Sequence, residues 1–101
     1  MKLNSTNAGA KEIINLSGIF DYKDLRNFKD AYETALNRAD VTTLDIDMSE
    51  LKYIDSTALG MLMLLRQRAG AVGKKVVLKH PNQDVREVLD IGNLGQLFTI
   101  V

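Results

Sequence analysis

Residues 42–48, TTLDIDM, alternate Leu44, Ile46 and Met48 with Thr43, Asp45 and Asp47, the signature of a strand with one apolar side. A few residues later the rule changes. From Asp55 to about residue 72 the apolar positions Ala58, Leu62, Leu65, Ala69 and Val72 fall at steps of three and four, as on a helix. Gly70 and Gly73 punctuate the end of that helix, and residues 75–79 (KVVLK) return to strand character. A strand, a helix and a strand in such short succession need a crossover, which favours parallel pairing and a helical layer against the sheet.

The rest of the chain continues this alternation. Residues 2–6 suggest a short edge strand, and residues 12–17, rich in Ile13, Ile14 and Leu16, a second strand that Gly18 ends. From Asp21 the spacing of Leu25, Phe28, Tyr32, Ala35 and Leu36 predicts an amphipathic helix with Asp21 or Asp24 at its first turn. Residues 49–53 read as a connection. Asn82 opens a third helix over residues 83–91, built on Val85, Val88 and Leu89 and stopped by Gly92, and residues 97–101 (LFTIV) read as a last strand. The order is β-β-α-β-α-β-α-β. The fold class expected is α/β, a four- to five-stranded mixed sheet with helices mainly on one face, in one domain over residues 1–101.

Composition narrows the function. Thirteen basic residues balance thirteen acidic ones, so no charged field draws the chain to nucleic acid or anionic lipid. Without cysteine there is no thiolate chemistry, and one histidine, His80, cannot build a multi-histidine metal site. No metal site and no cofactor motif is expected. The opening MKLNSTNAGA lacks the apolar core of a signal peptide, and the longest apolar run, residues 61–65, is far too short to span a membrane. The expectation is a cytoplasmic protein, a monomer or weak dimer, with no membrane insertion.

The chemistry-bearing residues gather where the central strand hands over to the second helix, at KYIDSTALG. In open α/β sheets, sites collect at such strand ends. Asp55 or Ser56 offers an N-cap oxygen, and Ala58 and Gly60 keep the first turn slim. Serine catalysis lacks its partners: a G-x-S-x-G elbow is missing and His80 is the sole candidate base. Gly60 is followed by Met-Leu and not by Lys-Ser/Thr, so this is no P-loop. Asp45 and Asp47, on one face of their strand, read as a solvated rim or a strand end. The helix after Asp55 is too apolar for its setting, because Leu59, Met61, Met63 and Leu64 cannot all join its buried arc. Either a partner covers the surplus or a neighbouring helix does.

The run LDIDMSELKYIDSTALG, residues 44–60, resembles the signature of the STAS domain of bacterial anti-sigma factor antagonists: an apolar strand carrying an acid, a short polar loop, then Asp-Ser-[Ser/Thr/Ala]-[Gly/Ala]-Leu-Gly. Leu16-Ser17-Gly18 with Phe20-Asp21, Gly73-Lys74-Lys75, and the stretch from Val88 to Phe98 are similar to it as well. The resemblance implies a regulator and not an enzyme. It implies phosphorylation at Ser56, with Thr57 as the alternative hydroxyl, by an anti-sigma factor with serine kinase activity. The same resemblance implies that phosphorylation abolishes binding to that kinase and that a PP2C-type phosphatase restores it. It also implies a partner-binding surface of Asp21, Asp55, Ser56, Thr57, Leu59, Gly60 and Met63. A STAS scaffold that is not phosphorylated, or a soluble subunit of a lipid-transport complex, is the alternative within the same resemblance.

Overall fold

The computed structural model describes residues 1–101. Two strands, β1 (Lys2–Ala8) and β2 (Lys11–Phe20), form a hairpin. A 3-10 turn over Tyr22–Asp24 leads into α1 (Leu25–Leu36), followed by β3 (Thr43–Ile54), α2 (Ser56–Ala71), β4 (Lys75–Lys79), α3 (Gln83–Ile91), a second 3-10 turn at Leu94–Gln96 and β5 (Thr99–Ile100). The five strands form one sheet in sequence order, β1 antiparallel to β2 and the remaining pairs parallel. The α/β class, the mixed sheet and its helical cover agree with the reading of the sequence.

One side of the sheet is apolar and carries the helices. Ile14 and Leu16 of β2, Leu44, Ile46 and Met48 of β3 and Leu78 of β4 share a core with Phe28 and Tyr32 of α1, Leu62 and Leu65 of α2, and Val85 and Leu89 of α3. Phe20, Phe28 and Tyr32 stack in sequence with centroid separations of 4.9 and 5.4 Å, the second pair edge-on. The alternate residues of the same strands, Ile13, Asn15, Asp45, Asp47 and Val77, occupy the side without helices. No helix is long and apolar enough to cross a membrane.

Four expectations change in three dimensions. Gly18 does not end β2: at φ +85° it lets the strand bulge and continue to Phe20. Residues 49–53 are not a connection, because β3 runs on to Ile54, pairing Leu51 with Gly18 and Ile54 with Phe20. Leu51 and Ile54 are buried, and that burial holds the extension in place. The last strand shrinks to two residues because Leu97 ends a 3-10 turn and Phe98 turns into the core. Asp45 is no solvated rim. It is 1% exposed, with Lys11 and Lys79 both on its Oδ2 at 3.3 and 3.0 Å. The hydrogen bond and charge of Asp45 hold the Lys79 ammonium above the usual lysine range.

Candidate functional site

The extended β3 brings two acids side by side. The Asp55 N–H donates to the carbonyl of Phe20 at 3.2 Å, so Asp55 and Asp21, each following a strand end, lie together at the carboxyl edge of the sheet. Each opens a helical turn. Asp21 accepts from the Lys23 N–H at 3.0 Å, while the buried Asp24 accepts the N–H of Asp21 at 2.9 Å, a reciprocal capping box. Asp21 therefore caps the 3-10 turn, and α1 itself starts after Asp24 without a side-chain cap.

At α2 the cap is Asp55. Its backbone is extended and its Oδ1 accepts from the Ala58 N–H at 2.9 Å. Ser56 is thus the first helical residue, exposed, and it is not the capping residue; Thr57 beside it is exposed too. Ser56, Gly60, Met63 and Gln67 recur at helical spacing and form the outward stripe of α2. A Cβ added at Gly60 would meet nothing within 4 Å, so this first turn stands open to a close approach.

The surplus apolar side chains of α2 divide in three directions. Met61 is buried with Ala58, Leu62, Leu65 and Ala69, replacing Val72, which is exposed. Leu59 is half-buried and packs toward the end of α3: a Cβ placed on Gly92 would lie 2.8 Å from Leu59 Cδ1. Met63 and Leu64 face outward, 37% and 49% exposed. Leu64 lines an open groove of about 600 Å³ between α1 and α2, together with Leu25, Tyr32 and Ala71. Leu25, expected in the core, is exposed here because it is the first residue after the 3-10 turn and precedes the buried Phe28–Tyr32 face.

Arg68 closes the groove on Glu33 with two hydrogen bonds of 2.7 and 2.9 Å, which hold the Glu33 carboxyl below the usual range. Burial, with the neighbouring Glu33 charge, raises the Tyr32 phenol. Asp21, Asp55, Ser56, Thr57, Gly60 and Met63 thus lie at or along the amino-terminal half of α2, whereas Leu59 turns away from their surface. Leu25 and Leu64 extend that surface. Leu64 was visible in the sequence only as part of an excess, and for Leu25 the helical spacing pointed the wrong way. Tyr22, 67% exposed, opens the 3-10 turn that precedes Leu25 and had no sequence signal at all.

A family model described as Mlab, STAS domain, matches residues 4–101. The chain is 38% identical over 94 residues to a STAS-domain containing protein of Pseudomonas aeruginosa, covering 91% of this chain and 89% of that one. It is 24% identical over 83 residues to an anti-sigma F factor antagonist of Lysinibacillus sphaericus, covering 82% and 71%. Among solved structures, the Bacillus cell fate determinant SpoIIAA in its phosphorylated form superposes with a TM-score of 0.76 at 21% identity, covering 99% of this chain and 91% of that one. The unphosphorylated form gives the same TM-score at 20% identity, covering 99% and 87%. The chain belongs to the STAS domain family. Its fold is that of an anti-sigma factor antagonist.

Proposed function

We propose that this protein is an anti-sigma factor antagonist working by partner switching: in its unphosphorylated form it binds an anti-sigma factor with serine kinase activity, and phosphorylation of Ser56 ends that binding. A PP2C-type phosphatase resets it. The protein is then substrate and regulator in the cytoplasm, not an enzyme. The observation that carries this reading is the division of labour at the start of α2. Asp55 holds the cap, and this leaves the Ser56 hydroxyl exposed and free of that duty.

Electrostatics support a switch at this point. A phosphate adds about −1.5 to −2 charges at neutral pH. At the first helical residue it meets the favourable end of the α2 dipole, so the fold tolerates it. A partner seated over Gly60, Met63 and Leu64 would instead have to desolvate it, with Asp55 and Asp21 adding repulsion. Binding is lost while the domain stays folded.

The test is to incubate the protein with its anti-sigma kinase and ATP, map phosphate by mass spectrometry, and compare partner capture by wild type, Ser56→Ala and Ser56→Asp. Phosphate on Ser56, capture by Ser56→Ala and none by Ser56→Asp is the expected pattern. Equal capture by Ser56→Asp and wild type, with no phosphate on Ser56 or Thr57, would sink it in favour of a constitutive scaffold.

A further inference from the structure

The two edges of the sheet are not alike. β5 is only two residues long, and so short an edge offers little to a passing strand. β1 forms the other edge, and of the usual protections it has only a lysine at one end. It runs seven residues in unbroken register against β2, from Lys2 opposite Ser17 to Ala8 opposite Lys11. It contains no proline and no bulge, and its one charge, Lys2, sits at its end. Six of its seven residues are exposed, and the outer row of its backbone donors and acceptors has no strand beside it.

We propose that β1 pairs antiparallel with β1 of a second copy of this chain, joining two sheets across a two-fold axis at Ser5. That centre matches all seven residues: Lys2 with Ala8, Leu3 with Asn7, Asn4 with Thr6, and Ser5 with itself. Residues of even number then meet only even, and odd only odd, so whichever set turns its N–H and C=O outward meets its own kind in a closed ladder. The axis stands perpendicular to the sheet, and the helical layers of both copies fall on the same side.

The second copy suits this edge because no pairing in this register sets like charges against each other. Asn4 and Thr6, on the side without helices, are small, polar and uncharged, and the only cation meets alanine. The net charge of zero adds no long-range repulsion between copies. One strand pair makes a small interface, below the roughly 1,200 Å² typical of stable complexes, so the dimer is weak and concentration-dependent.

Sedimentation equilibrium on the full chain, with circular dichroism to verify folding, tests the register directly. Wild type should dimerise reversibly between micromolar and millimolar concentration. Asn4→Glu with Thr6→Glu opposes two acids twice and should raise the dissociation constant about tenfold or more. Asn4→Lys with Thr6→Glu creates two opposite-charge pairs and should lower it. A wild type that stays monomeric to millimolar concentration overturns the proposal. So does a dimer that both variants leave unchanged, which would place the contact on another surface. Protection of β1 amides only when a different protein is added would assign the edge to that protein and overturn it as well.

Discussion

α1 and α3 are built differently from α2. In α1 the buried residues Phe28, Tyr32, Ala35 and Leu36 sit on one side, and in α3 Val85 and Leu89 do, with charged residues such as Asp84, Arg86, Glu87 and Asp90 left to solvent. Their exposed large apolar residues, Leu25 and Ile91, stand at a helix end, whereas those of α2 fall in its middle. Five of its residues are buried, yet Met63 and Leu64 remain exposed and Leu59 is only half covered. A helix that serves only the core has a polar back; one whose back is also apolar leaves that side open to a partner of the kind the proposed function requires. The outward apolar side begins at Ser56.

The contrast can be broken from the inside first. Leu62→Ala removes a side chain with no exposure from beneath α2 and should cost about 2–5 kcal/mol in a urea melt. Removing the cap comes next: Asp55→Ala leaves the Ala58 N–H without its acceptor and should cost about 0.5–2 kcal/mol by the same measurement. On the outer side the stability effect should fade. Met63→Ala and Leu64→Ala should stay within about 0.5 kcal/mol of wild type, while each weakens partner binding by about tenfold in titration calorimetry. If Leu64→Ala melts like Leu62→Ala, the outer side is core after all.

The smallest effect belongs to the Glu33–Arg68 pair between α1 and α2. Arg68 lowers the Glu33 pKa in the folded state, so the pair stabilises the fold above the ordinary glutamate pKa and that contribution is lost as pH falls through the folded value. Both groups are solvent-accessible, and salt screens them. A double-mutant cycle of Glu33→Gln and Arg68→Gln should show a small coupling at neutral pH that vanishes in acid. A coupling that grows as the pH is lowered would contradict this assignment.

Elements with one dominant period were legible in the sequence. The alternation of Leu44, Ile46 and Met48 in β3, the helix on Phe28 and Tyr32, and the strand KVVLK all lie where their spacing places them. What escaped depends on neighbours distant in sequence. The extension of β3 to Ile54 is held by β2 beyond the Gly18 bulge, and no local pattern in SELKY records that partner. Asp45 was misjudged for the same reason, since its lysines come from β2 and β4. At the site, the cluster Asp55–Ser56–Gly60 was visible as a motif. Which oxygen caps the helix was not, because either residue has the chemistry and only the extended backbone at Asp55 decides.

That decision bears on how freely the chain can change over generations. Fold and outward chemistry at the head of α2 rest on adjacent but separate residues. Replacement of Asp55 is penalised in every descendant by loss of the cap, whatever its binding role. Position 56 carries no such penalty, so serine, threonine or alanine can be exchanged there with the domain intact. A lineage can therefore gain, retune or abandon an exposed hydroxyl in one substitution, on a scaffold that does not register the change.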